Sequence, residues 1–112
     1  MISGVHAILF SPRADAVRAF LRDVLGLPHV DAGEGWLIFA LPPAELAIHP
    51  ADAPRHEVYL LTDDLDATVT MLAAKGVGLA EPISQQSWGR LTALALPDGS
   101  TLGLYQPSHP RP

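Results

Sequence analysis

Three polar side chains set among apolar neighbours are where this sequence could do chemistry. His6 lies in the run Gly4-Val-His-Ala-Ile-Leu-Phe10, Glu57 opens the run Glu57-Val-Tyr-Leu-Leu61, and His49 ends Leu46-Ala-Ile-His. A carboxylate taken out of water needs a partner. An imidazole within its reach would make an acid/base pair, so His6 and Glu57 are candidates for catalysis, with hydrogen-bonded structural groups as the plainer reading. His56 is adjacent to Glu57 and should point to the opposite side of a strand. His29 near a turn and His109 in the tail read as surface residues. Phe10, Trp36, Tyr59, Trp88 and Tyr105 are candidates for stacking on a flat or apolar ligand. Arg90 stands alone among apolar residues of its run. It could bind a ligand carboxylate or phosphate, or close a salt bridge at a rim. Asp63, Asp64 and Asp66 have the look of a metal cluster, yet at a helix start they are better explained as caps favoured by the helix dipole.

The elements that must position these residues come in a repeated order. Residues 4–10 alternate as a strand. Ser11 and Pro12 then offer an N-cap and a first helical residue. Val17, Phe20, Leu21, Val24 and Leu25 mark one face of a helix over 14–25, and Gly26 ends it. Residues 29–32, 36–41 and 45–49 read as three strands, with a turn at Gly33-Glu34-Gly35. The same order then restarts at residues 55–66. A strand at 57–62 is followed by an acidic cap and a helix carrying Leu65, Val69, Leu72 and Ala73, which stops at Gly76 and Gly78. Residues 79–87, 89–96 and 101–106 complete it, the last two joined by the tight turn Pro97-Asp98-Gly99. Superposing the halves pairs His6 with Glu57, Leu9 with Leu60, Asp15 with Asp66, Ala16 with Ala67 and Leu21 with Leu72.

This predicts an α+β fold of two tandem βαβββ modules. The single domain spans residues 1–112, with module one at about 1–50, a linker at 51–55, module two at about 56–107 and a tail at 108–112. A module of about 50 residues is too small to bury much of its surface, so the two must share a core. Strand parity puts His6, Ile8 and Phe10 on one face, with Glu57, Tyr59 and Leu61 on the matching face of the second module. The last strands add Ala47 with His49, and Gly103 with Tyr105.

Composition narrows the partners. The chain has 112 residues, 48% of them hydrophobic and 17% charged, which fits a packed globule. The formal charge is −5 with only seven Lys and Arg, so neither a nucleic-acid backbone nor an anionic membrane is an expected partner. The chain contains no cysteine, which removes disulfides, thiolate nucleophiles and Cys-based metal sites. No run approaches the ~20 apolar residues of a membrane span, and the start of the chain lacks the pattern of a signal peptide. The expected location is cytoplasmic.

The segments His6-Ala-Ile-Leu-Phe10, Phe20-Leu-Arg-Asp-Val-Leu-Gly-Leu-Pro28, Glu57-Val-Tyr-Leu-Leu-Thr-Asp-Asp-Leu-Asp-Ala67 and Pro97-Asp-Gly-Ser-Thr-Leu-Gly-Leu-Tyr-Gln-Pro107 resemble the vicinal oxygen chelate superfamily. It includes glyoxalase I, extradiol dioxygenases, fosfomycin-resistance enzymes and bleomycin-resistance proteins, and the resemblance covers nearly the whole chain. It implies a partly open, curved-sheet barrel, a homodimer and a cleft for a small molecule. Metal-dependent members place ligands on the first and last strands of each module. Carried over, those positions are His6, Glu57, Gly103 and either Ala47 or, with a register slip of two residues, His49. His6, His49 and Glu57 would form a two-histidine, one-carboxylate set suited to one divalent ion, Zn, Mn, Fe or Ni. Such a protein would be a lyase, isomerase or oxygenase acting on a substrate with vicinal oxygens. Gly103, where the family usually has a carboxylate, has no side chain to offer. The resemblance therefore also admits a second expectation: a metal-free, antibiotic-like small-molecule binder resembling bleomycin-resistance proteins.

Overall fold

The structure, a computed structural model, describes residues 6–45, 47, 50–53 and 55–110. Module two has the expected order of elements. Strand β3 (Tyr59–Leu61) leads into helix α2 (Leu65–Ala74), followed by β4 (Leu79–Gln86), β5 (Gly89–Ala95) and β6 (Thr101–Pro107). The sheet runs β3-β6-β5-β4, with β3 parallel to β6 and the other neighbours antiparallel. Pro82 lies in β4 within the second of two register shifts, Leu79/Glu81 and Glu81/Ser84, as expected where a residue without an N–H interrupts an edge strand.

Local chemistry starts and stops α2. The Asp64 carboxylate accepts the Ala67 N–H at 3.0 Å, and the Gln106 side chain reaches from β6 to accept the Leu65 N–H at 2.7 Å. Two of the helix's free N–H groups are thereby satisfied. At the other end Gly76, at φ +83°, allows the Val77 N–H to bond the Leu72 carbonyl and the Gly76 N–H to bond the Ala73 carbonyl. That is the left-handed glycine cap.

Module one is less complete. Helix α1 covers Ala14–Ala19 and widens into a π-helical turn at Phe20–Val24. Strands β1 (His29–Asp31) and β2 (Leu37–Phe39) form a two-stranded antiparallel hairpin across the Gly33–Gly35 turn. Residues 6–10 alternate like a strand but form none. All five are exposed, with Phe10 at 92%. A strand exists only through a partner's ladder, and no described residue supplies one here. The strand expected at 45–49 falls partly outside the described residues, since Leu46, Ile48 and His49 are not among them; Glu45 and Ala47 are in no strand. Ser11 does not cap the helix, which begins only after Arg13. Its hydroxyl instead donates to the Asp98 carboxylate.

The two modules share one core, as their size requires. Phe20 from module one packs with Leu65, Leu72, Val77, Leu94, Leu96, Leu102 and Leu104, and Leu21, Val24 and Leu25 border the same cluster. Polar ties reinforce the joint. Lys75 Nζ donates to the Val24 carbonyl at 3.1 Å and Arg13 to the Pro97 carbonyl at 2.6 Å. Asp98 also accepts the Ser100 hydroxyl at 2.5 Å and the Ser100 N–H at 2.9 Å. The Ser100 side chain, then Ser11, then the Ser100 backbone hold the Asp98 carboxyl down to about 2. A depressed carboxyl stabilises the folded state above its unfolded value of about 3.9 and loses that contribution as pH falls through about 2. The Asp98→Asn variant is therefore expected to flatten the acid limb of stability in that window. Denaturant unfolding as a function of pH checks this.

Candidate functional site

One face of the four-stranded sheet packs on α2, and the other is open. On β6, Leu102 and Leu104 are buried against the helix. Gly103 and Tyr105, between and beyond them, therefore face the other way. The register sets Tyr59 beside Gly103 and Leu61 beside Tyr105, and Leu91 and Ala93 continue the same rows on β5. The expected parity of Tyr59, Leu61, Gly103 and Tyr105 is what the pairing gives.

Aromatic rings line this open face. Tyr105 is their hub, edge-on to Tyr59 at 6.1 Å and to Trp88 at 5.3 Å, with the His109 ring 5.8 Å away. These separations fall in the favourable range for T-shaped pairs. The Trp88 carbonyl holds the run together, accepting the Tyr105 hydroxyl and the Ser108 N–H, both at 3.0 Å. His109, expected at the surface of a frayed tail, is instead brought to the face, and its Nε2 lies 3.6 Å from the Glu45 carboxylate. The sequence offered no local sign of this. It depends on Ser108 bonding back to the β4–β5 turn.

Gly103 has a specific reason to be glycine. A Cβ at this position would overlap the Tyr59 ring, coming within 2.6 Å of Cε1 and 3.0 Å of Cγ. The ring lies where a side chain on residue 103 would begin. The Tyr59 hydroxyl donates to Glu57 at 3.1 Å, and Arg55 lies 3.4 Å from the other Glu57 oxygen. Burial first, then the Glu57 hydrogen bond and charge, raise the Tyr59 phenol above its usual value; burial and then Glu45 raise Tyr105. Replacing Gly103 with alanine is expected to push the Tyr59 ring outward, at a cost of about 1 kcal/mol. A phenol titration would then show the Tyr59 pKa moving back toward its ordinary value, and thermal unfolding would give the cost.

The described residues gather no ligand set for the implied metal. The family's last-strand ligand position, Gly103, is covered by the Tyr59 ring. Glu57 is engaged by Tyr59 and Arg55. His6 is exposed and has no hydrogen bond to a described residue, and His49 lies outside the described residues. Among the described residues no group of three His, Cys, Asp or Glu side chains could hold an ion.

The other sequence candidates are placed elsewhere. Arg90 pairs in register with Gln106, on the helix side of the sheet, and makes a bidentate contact at 3.0 Å with Asp66 in the first turn of α2. Of the acidic trio, then, Asp64 caps α2 and Asp66 holds Arg90. Trp36 in module one is 65% exposed and carries the Arg18 guanidinium 5.0 Å above its ring. Phe10, with Ile8, Leu9, Val17 and Leu96, borders a hollow beside the Asp98 turn. The aromatic face itself is open, and neither that hollow nor a second one at the start of α1 lies on it.

No protein-family model and no curated protein matches the chain. Solved structures do. The chain is 27% identical to TnmS3, an antibiotic binding protein from Streptomyces sp. CB03234, with a TM-score of 0.66 over 96% of this chain and 100% of that one. It is 25% identical to a member of the glyoxalase/bleomycin resistance protein/dioxygenase superfamily from Sphaerobacter thermophilus DSM 20745, with a TM-score of 0.63 over 94% of this chain and 98% of that one. With a lactoylglutathione lyase from Agrobacterium tumefaciens it shares the fold, at 21% identity and a TM-score of 0.58 over 93% and 96% of the two chains. By the order of its elements, the pairing of its second-module sheet and these likenesses along nearly its whole length, the chain belongs to the vicinal oxygen chelate superfamily, with the glyoxalase/bleomycin-resistance fold.

Proposed function

We propose that this protein binds a small, flat, largely apolar molecule on the open face of its four-stranded sheet, without a metal ion, and does so as a homodimer. The observation that carries this reading is the Tyr59–Tyr105–Trp88 run, with the Tyr59 ring lying over Gly103. Where a metal-dependent relative would need a carboxylate, this chain presents the side of an aromatic ring. Flat π-surfaces held by neighbouring rings and by a backbone carbonyl are suited to stacking against a planar ligand. The likeness to an antibiotic binding protein supports the same reading.

Exposed area supports the homodimer. The chain exposes 8328 Å², against about 6,000 Å² for a compact monomer of its mass. The excess includes Ile8, Phe10, Val30, Trp36 and Ile38, each at least 40% exposed. Its size is that of a substantial subunit interface, and sedimentation at micromolar concentration is expected to give twice the chain mass.

A thermal-shift panel of planar aromatic compounds tests the binding function. A ligand present at a hundred times its Kd adds about 2.7 kcal/mol of stability, a rise of several degrees. Full retention of that shift in a Trp88→Ala, Tyr105→Leu double variant would contradict the site. So would the absence of a shift with every compound.

A further inference from the structure

The tail doubles back over the aromatic face, and the way it is fastened bears on when that face is available. Tyr59 and Trp88 are exposed, whereas Tyr105, the hub they share, is half-buried. Ser108 anchors the tail: its N–H donates to the Trp88 carbonyl at 3.0 Å and its hydroxyl to the Ser87 carbonyl at 3.4 Å. The His109 ring then lies 5.8 Å from the Tyr105 ring at an interplanar angle of 40°, nearer to a stack than Tyr59 and Trp88, which meet it at 69° and 76°. A side chain of the protein itself thus rests against the hub ring.

Both nitrogens of the His109 ring face oxygen. Nδ1 is 2.8 Å from the Pro110 carbonyl, and Nε2 is 3.6 Å from the Glu45 carboxylate of module one. The carbonyl only accepts, so Nδ1 carries a proton; the carboxylate is matched only by a second proton, on Nε2. A neutral ring protonated on Nδ1 turns a lone pair toward Glu45. The imidazolium turns an N–H and a positive charge toward it, beside a ring whose face attracts cations. Among the described residues, the titratable groups facing His109 are the Glu45 carboxylate and the Tyr105 phenol. Burial and then Glu45 hold that phenol above its ordinary value, so it stays neutral where histidines titrate.

We infer that residues 108–110 form a proton-operated strap on this site: charged, His109 is latched between Glu45 and Tyr105 and covers the hub ring; neutral, it gives way to a flat ligand. The inference rests on the binding function proposed above and adds its regulation. The sign follows from competition. Protonation favours the strapped form, so affinity falls as pH drops through the histidine range of about 5–8, and by linkage ligand binding releases a proton.

Anthracene methanol, planar and uncharged throughout that range, tests the strap by titration of the intact protein, followed by intrinsic fluorescence. It is expected to bind about fivefold more tightly at about pH 8 than at about pH 5.5, the reach of one partly exposed ion pair with a ring contact. His109→Gln should bind it equally at both pH values. His29→Gln, which removes a histidine beside Phe39 on the module-one hairpin, should keep the wild-type ratio. Proton NMR of the ligand-free protein should show cross-peaks between the His109 and Tyr105 rings that are strong on the acid side and fade on the basic side. Equal affinities in the wild type, a ratio that survives in His109→Gln, a ratio lost in His29→Gln, or cross-peaks that ignore pH would overturn the strap and leave the flat-ligand function standing. If the probe binds at neither pH, the binding function falls and the strap with it.

Discussion

Replacing Leu94 with alanine is expected to lower the unfolding free energy by about 3 kcal/mol, the middle of the range for a leucine truncated inside a core. Leu94 is fully buried near the end of β5, beside Leu102 in register and within the cluster that includes Leu65, Leu72 and Phe20. The lost methyl groups leave a hole lined by side chains from both modules. The sheet behind it is held on either side by neighbouring strands, so little collapse can fill that hole. For a domain of this size the total stability is roughly 5–15 kcal/mol, so the loss is a large part of the whole and lowers Tm by roughly 10 °C or more. Leu79→Ala, at a position 38% exposed on the edge strand, should cost well under half as much. Urea unfolding of both variants checks the contrast. Similar losses would mean that β5 is not the centre of the core.

The second large effect concerns the ligand. Tyr105→Leu is expected to weaken binding of a flat ligand by about ten- to a hundredfold, corresponding to about 1.4–2.8 kcal/mol. Tyr105 touches both Tyr59 and Trp88, and its hydroxyl fixes the turn that carries Trp88. Removing the ring takes away one stacking surface and loosens the other two. The fold should lose only about 1 kcal/mol, the usual worth of one hydrogen bond, because the side chain is on the open face and outside the core. Trp36→Leu should leave affinity unchanged, since Trp36 is engaged by Arg18 and joins no ring contact of the Tyr105 run. Equal losses in the two variants would place the ligand elsewhere.

What could be read from the sequence was mostly what local chemistry decides. The Asp64 cap, the Gly76 stop, the Gly33–Gly35 turn and the Pro97-Asp98-Gly99 turn all lie where residue type predicts them. Alternation also gave the right faces for Tyr59 and Tyr105, because a strand of known parity leaves only two choices. Features that depend on distant partners were not legible. Residues 6–10 have the pattern of a strand, but a strand is made by its neighbour, and no described residue pairs with them. Arg90 looked like a lone charge among apolar residues. Only the three-dimensional pairing shows Asp66 at the start of α2 waiting on the same side. The role of Gly103 was half legible: its lack of a ligand could be read, but not that the Tyr59 ring needs the space. That requirement arises from a parallel pairing between strands more than 40 residues apart, which no local pattern encodes. His109 is the same case, since its approach to Tyr105 follows from the return of the chain past Trp88.

The central claim is that an aromatic face, and not a metal, does the binding. Its most direct test is a ligand titration, followed by Trp and Tyr fluorescence, on protein purified without a histidine tag and measured before and after exhaustive chelation. The account predicts the same affinity in both samples, no stoichiometric uptake of Zn, Mn, Fe or Ni, and loss of binding in Tyr105→Leu. Affinity that disappears on chelation, returns with a divalent ion and is abolished by His6→Ala would contradict it.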